Sequence, residues 1–497
     1  MNANANNNGR GFWGSRFAFV LAAAGSAVGL GNIWGFPTAA AQHGGGGFVL
    51  IYILCILLVG LPVMLAEMVI GRAGEKNPVG ALKHLKKGTP WYLVGVLGVM
   101  TGFVILSFYT VIAGWTVFYF IQAAGGALTV PEGTDSAEYF GEMFTAMTAN
   151  PGYEILFVAI FMLATISIVA AGVQKGIERA VKVMMPLLFL LLVFLITRSV
   201  TLEGGTEGLR FYLIPDFGAI NREVLVLALG QAFFSLSLGM GVMITYGSYL
   251  RKEECLPSSA GYVVTTDTLI AIFAGLIVFP VIFFMAVTQG ADHAGLVEAS
   301  GPGLVFVVFP QILSELPGGA FATAVFGSAF FLLLAIAALT SAISLLEVVT
   351  AHFIDDWKIP RHKAAWGLGG IIFLLAIPSA LSMGAVRWLS EGVFGMSLFD
   401  FLYMLTFQFF LPLGALGLAV FVGWAWGLKK ASAEIQTGTP NFRLEKVWHV
   451  MIRYVAPIAI LIIVATQFVD VFGGESGEDA SEEPPAAESS AESNGPN

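Results

Sequence analysis

Apolar residues recur along this chain in runs near the ~20 residues that a helix needs to cross a bilayer, and the runs follow one another from end to end. They lack the roughly ten-residue alternation of a membrane β-barrel, so the pattern predicts spanning helices. Eleven are expected, at 16–39, 46–72, 91–123, 153–173, 180–199, 222–250, 261–288, 320–355, 365–384, 397–427 and 448–471. Lys and Arg cluster in GRAGEKNPVGALKHLKK, QKGIERAVK, RKEE, DDWKIPRHK and LKKASAEIQTGTPNFRLEK, which fall on one side of the membrane for that number of spans. The opposite loops, 124–152 and 289–319, hold acids and no Lys or Arg. The positive-inside rule makes the basic side cytoplasmic, with the N-terminus inside the cell membrane and the C-terminus outside.

Composition strengthens this picture. The 497 residues are 57% hydrophobic and 11% charged, with mean hydropathy +0.82, whereas soluble domains carry about 25% charged residues. The implied partners are a lipid bilayer and a small-molecule substrate, not nucleic acid. The first apolar run has no cleavage pattern of small residues, so the N-terminal segment 1–15 is expected to be retained. Cys55 and Cys255 show neither metal-ligand spacing nor a disulfide framework. The formal charge of −9 is concentrated in the tail, whose GGESGEDASEEPPAAESSAESNGPN has no Lys or Arg, and segment 472–497 is expected to be disordered. No H-E-x-x-H or G-x-S-x-G occurs and the six histidines are scattered, so an enzyme is not expected.

Two spans read poorly as continuous helices. AAAGSAVGLGNIWGFP, residues 22–37, carries four glycines, each costing roughly 1 kcal/mol relative to Ala in a helix interior. FFSLSLGMGVMITYG in the sixth span places Gly239 and Gly241 among hydroxyl residues. Irregular backbone at membrane depth must be buried in protein or line a cavity. One glycine cluster alone is more often a close-packing surface. Two, five spans apart, match the broken helices of an inverted repeat whose halves enclose a midplane binding site.

The runs WGSRFAFVLAAAGSAVGLGNIWGFP, GGGGFVLIYILCILLVGLPVMLAEMVIGR, GQAFFSLSLGMGVMITYGSYLRK and LTSAISLLE resemble, in order from about Arg10 to Gly427, the neurotransmitter:sodium symporter family. The resemblance implies an all-α polytopic membrane protein of LeuT-type fold: a 5+5 inverted repeat with discontinuous helices 1 and 6. Residues 16–200 and 201–427 would form the repeats, and 428–471 a loop and one extra C-terminal helix, as in the eleven-helix prokaryotic members. It implies Na⁺-coupled import of a small amino acid or amine by alternating access. Proton coupling through Asp267 or Glu67, and a sensor that binds without transporting, remain as alternatives.

Carried over residue by residue, the resemblance implies two Na⁺ sites. The first would use the Ala27 carbonyl with Asn32, Ser235 and Asp267. The second would use the carbonyls of Gly25, Val28 and Ala337 with the hydroxyls of Thr340 and Ser341. Many members have Asn where this chain has Asp267, and chloride-dependent relatives have Ser where it has Ala271. An intramembrane acid is costly unless partnered, so Na⁺ beside Asp267 and transport without chloride are expected. The substrate carboxylate would meet the N–H groups of Leu30 and Gly31, where a half-helix begins, and the Tyr109 hydroxyl. Carbonyls near Ser26, Phe234 and Ser237, with Ser341, would receive the ammonium. Ile105, Met240 and Leu345 would line an apolar subsite suited to a hydrophobic or aromatic side chain, with Phe234 as lid. Glu67 would support an unwound segment. At the outer gate both halves of the family's ion pair are missing: Gly35 replaces Arg and Tyr403 replaces Asp. An inner gate of Arg10 with Asp355, beside Trp13, is expected, as is an extracellular hairpin at ASGPGLVFVVFPQILSELPGG.

Overall fold

The computed structural model describes residues 11–289, 303–315 and 317–472. Among these residues no strand forms, and nine continuous helices are long and apolar enough to cross a membrane. The halves Arg16–Ala27 and Gly31–Gln42, bent by 55°, make a tenth span. The sixth in chain order is split into Arg222–Ser235 and Val242–Gly247, neither long enough to cross alone. The other spans are Gly46–Gly74, Tyr92–Ala124, Pro151–Ala170, Val173–Ser199, Leu256–Gln289, Gly319–Trp357, Arg361–Leu381, 398–427 and Glu445–Val469. We refer to them as spans 1 to 11, with a and b for the halves of spans 1 and 6.

Local chemistry sets several starts. Ser15, Asn150 and Asn221 cap spans 1a, 4 and 6a by accepting backbone N–H groups that the helix leaves unpaired. Span 10 stops at Gly427, whose φ of +100° no side-chain-bearing residue adopts readily, and Leu428–Gly438 continues as a separate helix. Spans 7 and 9 begin four to five residues earlier than hydropathy indicates, because the polar first turns of 256–260 and 361–364 are helical too.

The expected loops are more ordered than their composition suggests. GRAGEKNPVGALKHLKK contains the helix Pro78–Leu85, capped by Asn77. Residues 124–152 contain Ser136–Thr148, capped by Asp135, and Gly205–Leu213 precedes span 6a. These short helices are partly polar and bury one face against the spans, so an apolar-run criterion passes over them. Arg10, residues 290–298, residues 299–302 and 316 of the expected hairpin, and the tail 473–497 lie outside the described residues.

Candidate functional site

The breaks of spans 1 and 6 face each other at the centre of the bundle. In span 6 the chain leaves helical geometry at Leu236 and crosses Ser237, Gly239 and Gly241, all at positive φ (53°, 79° and 75°). A serine in that region is strained, and such strain persists where the surroundings hold it. Here Ser237 Oγ donates to the Ser26 carbonyl at 3.0 Å, tying the two breaks together. Glu67 of span 2, fully buried, accepts the Gly239 N–H at 2.8 Å through Oε1, so a carboxylate satisfies a donor freed by the break.

Between the breaks lies a cavity of about 30 Å³, lined by Ser26, Leu30, Gly31, Ile105, Tyr109, Phe234, Ser237, Met240, Ser341 and Leu345 together with Ala27, Asn32 and Ser235. Every residue expected to touch substrate is brought here. The Leu30 N–H faces the Tyr109 hydroxyl at 3.5 Å. Ile105, Met240 and Leu345 supply the apolar wall. Phe234 lies against Gly31 so closely that a Cβ there would fall 2.7 Å from its Cδ1 and nearer still to its Cε1.

Asp267 is completely buried beside this cavity. Asn32 Nδ2 donates to its Oδ1 at 2.7 Å and Ser235 Oγ to its Oδ2 at 2.8 Å. The Asn32 Oδ1 accepts the Gly29 N–H at 3.0 Å, so the amide turns its nitrogen to the acid. A half-turn of that amide, which gives up the Gly29 bond, would present an oxygen beside the carboxylate to a bound ion and complete the hard oxygen set that Na⁺ prefers. Among the described residues no cluster of three His, Cys, Asp or Glu exists that would suit a transition metal. The second expected ion site is equally all-oxygen. Thr340 Oγ1 lies 2.9 Å from the Ala337 carbonyl and 3.4 Å from that of Val28, and Ser341 Oγ donates to the carbonyls of Ser26 and Val28 at 3.0 and 3.3 Å. Gly25 brings span 1a against Thr340, leaving only 3.4 Å between a Cβ there and the Thr340 Cβ.

Above the cavity, sharing Leu30, Gly31, Tyr109 and Phe234 with it, a wider vestibule of about 410 Å³ extends to Gly35 and Tyr403. Tyr403 does not meet Phe234 directly, as a two-ring closure would require. Phe407 stands between them, 4.4 Å from Phe234 edge to face and 4.2 Å from Tyr403 in a stack. Gln231, one turn before Phe234, donates from Nε2 to the Gly31 carbonyl at 2.8 Å and so fixes span 6a to span 1b.

The opposite side is sealed. Trp13 donates from Nε1 to the Tyr246 carbonyl at 3.0 Å and packs edge to face on Tyr246 and Tyr249. Asp355 accepts the backbone and side-chain N–H groups of Asn77 at 2.8 and 3.1 Å, fixing the short helix after span 2. Arg361 grips Glu347 through two nitrogens at 2.6 and 2.8 Å, and the Tyr249 hydroxyl donates to the same carboxylate at 2.7 Å.

Sequence reading missed Tyr52, whose hydroxyl donates to Ser235 at 3.0 Å, along with Gln231, Phe407 and the Tyr249–Glu347–Arg361 group. Glu347 carried a legible signal, since it is an acid inside a long apolar span. Tyr52 and Phe407 carried none, being apolar-run residues among many.

The sequence pattern of the Sodium:neurotransmitter symporter family matches residues 10–143 and 127–476. The chain belongs to that family. A Bacillus subtilis protein named as an uncharacterized sodium-dependent transporter is 38% identical over 452 residues, covering 91% of this chain and 96% of its own. A Haemophilus influenzae protein of like name is 38% identical over 468 residues, covering 92% and 98%. The crystal structure of MhsT in complex with L-phenylalanine is 45% identical, with a TM-score of 0.82 over 93% of this chain and 100% of that one. This member of the symporter family therefore has the LeuT-type fold expected above, and it is a multi-pass, sodium-dependent membrane transporter rather than an enzyme.

Proposed function

We propose that this symporter imports a hydrophobic or aromatic α-amino acid with Na⁺, by alternating access and without chloride. The observation that carries the reading is the buried Asp267 beside a cavity lined both by hydroxyl side chains and by Ile105, Met240 and Leu345. Asp267 and the oxygens of Ala27, Asn32 and Ser235 would hold one Na⁺, and a second would sit between Gly25, Val28, Ala337, Thr340 and Ser341. The Asp267 carboxylate supplies the fixed negative charge beside the first ion, and Ala271 offers no hydroxyl to an anion. MhsT, bound to L-phenylalanine, supports the substrate class.

The cavity, about 30 Å³, has room for roughly two or three waters and not for an amino acid, so substrate enters only when Phe234 swings away from Gly31. A ligand drives such a change only by binding the two states differently. Na⁺ between spans 1 and 8 would favour the state open to the vestibule, with Arg10, Trp13 and Asp355 closing the cytoplasmic side. The N-terminus lies inside the cell membrane in this reading, with the basic loops.

The outer closure is aromatic where relatives use an ion pair. Phe407→Ala removes the ring between Phe234 and Tyr403, at a cost of about 3 kcal/mol or less in this half-buried setting. The expected result is substrate release about tenfold faster with Na⁺ affinity unchanged, read by stopped-flow dissociation of labelled substrate. Equal release from the variant and the parent contradicts the aromatic gate.

A thermal-shift screen of the purified transporter tests the substrate reading. The twenty amino acids, taurine, betaine and small amines are each added with NaCl, sodium gluconate and KCl. Stabilisation by Phe, Trp, Tyr or Leu in both sodium salts and not in KCl is expected. Stabilisation by an amine lacking a carboxylate contradicts the substrate class, and a requirement for NaCl over gluconate contradicts chloride independence.

A further inference from the structure

Two largely enclosed arginines near the basic side of the membrane are matched by protein groups. Arg72, fully buried, gives Nε to Glu434 at 2.8 Å and its other nitrogens to the carbonyls of Lys252, Glu254 and Glu434 and the Thr437 hydroxyl. Arg361 is held by Glu347. Arg453 of span 11 is different. Its Nε is buried with no hydrogen-bond partner, and no carboxylate or carbonyl among the described residues accepts from its guanidinium.

Two aromatic rings hold that cation. Its central carbon lies 5.1 Å from the ring centre of Trp424 and 5.6 Å from that of Tyr454, and Trp424 Nε1 donates to the Arg453 carbonyl at 3.2 Å. Both rings are half-exposed, 57% and 50%, on the outside of the seam between spans 10 and 11. The depth follows from neighbours. Phe421, one turn before Trp424, packs on Trp91 at the start of span 3, and Lys86 donates to the Ala425 carbonyl at 2.6 Å. Trp and Tyr at such a level are typical of the headgroup boundary. Residues 401–433 and 446–469 contain no Asp or Glu, while exposed Lys429 and Lys430 lie two and three residues after Gly427. The seam is thus cationic, aromatic-walled and open to lipid, with a forked donor lacking its acceptor.

We propose that Arg453, Trp424 and Tyr454 bind the phosphate of an anionic phospholipid in the leaflet beside the basic loops. A guanidinium at the edge of the hydrocarbon must satisfy its N–H groups or bear the cost of leaving them unpaired. A phosphate diester offers two oxygens matched to the fork. The rings keep the guanidinium in place by cation–π attraction, and because Nε is enclosed the ligand would meet the two Nη groups of this partly buried side chain. Anionic rather than zwitterionic lipid is favoured because stretches 401–433 and 446–469 of the seam hold basic residues and no acid, while the flanking Glu434 is taken by Arg72 and Lys252 and Glu445 lies by His449.

The test is thermal unfolding of the full-length transporter in detergent, titrated with phosphatidylglycerol, with phosphatidylcholine of the same acyl chains, and with inorganic phosphate alone. Phosphatidylglycerol is expected to stabilise the parent protein at concentrations about tenfold lower than it does R453Q, as loss of one charge-assisted contact predicts. Phosphatidylcholine, whose diester is offset by its own choline, should act more weakly and separate the two proteins less than phosphatidylglycerol does, and inorganic phosphate should act on neither. R453K, which keeps the charge and loses the fork, should fall between them, and it serves if R453Q does not fold. Equal responses of the parent to the two lipids, or equal responses of the parent and R453Q to phosphatidylglycerol, overturn the proposal. Stabilisation by inorganic phosphate alone makes the ligand a soluble anion and overturns the lipid assignment.

Discussion

Asp267→Ala is expected to weaken Na⁺-dependent substrate binding by about a hundredfold. The carboxylate is fully buried, receives Asn32 Nδ2 and Ser235 Oγ, and is backed by Tyr52 through Ser235. Its removal withdraws the only full charge among the proposed ligands of the first ion and strips both donors of a charged acceptor, although Asn32 Nδ2 keeps the Ser235 Oγ at 2.9 Å and the Asp267 backbone carbonyl at 3.3 Å. Hydrogen bonds to a charged group contribute about 1.5–3 kcal/mol each, and tenfold in affinity is about 1.4 kcal/mol. Asp267→Asn separates charge from shape: it keeps the packing and an acceptor oxygen, so folding should survive while Na⁺ affinity still falls at least tenfold. Isothermal titration of substrate across a series of Na⁺ concentrations reads both variants. An unchanged Na⁺ dependence in Asp267→Asn means the charge serves something other than the ion.

Gly31→Ala should impair substrate binding nearly as strongly for a different reason. The Cβ it adds would overlap the Phe234 ring, so the lid has to leave its seat. Overpacking costs roughly 1–3 kcal/mol, which is about fivefold to 150-fold in affinity if all of it falls on the closed, substrate-bound state. The second change Phe234→Leu clears the space and should restore part of the loss, which a general folding defect would not allow. Substrate affinity of the single and double variants decides the matter, and a double variant no better than Gly31→Ala sinks the lid argument.

The breaks were legible because glycine is so poorly suited to an unbroken helix. Span 1 bends at GSAVGLGNIWG, and span 6 turns through Gly239 and Gly241 at positive φ, as their clustering indicates. The cavity-lining residues followed from the family motifs, whose spacing on helices either side of each break brings them together. What sequence could not convey was pairing across distant segments. Nothing in the apolar run around Tyr52 marks its hydroxyl as the third partner of the Asp267 group. Tyr403 was visible as a departure from the family pattern, but its contact to Phe234 runs through Phe407, one turn along, and that depends on how span 10 packs. Short helices such as Pro78–Leu85 escaped because their order comes from a cap and tertiary burial rather than from hydropathy.

The central claim is that a Na⁺ gradient is converted into an amino-acid gradient. Purified protein in sealed proteoliposomes, loaded with potassium gluconate and diluted into sodium gluconate with a labelled amino acid selected by the binding screen, measures this directly. The account predicts accumulation above the external concentration, abolished by collapsing the Na⁺ gradient and unaffected by replacing gluconate with chloride. Accumulation driven by a pH gradient in the absence of Na⁺, or Na⁺-dependent binding with no accumulation, would contradict it.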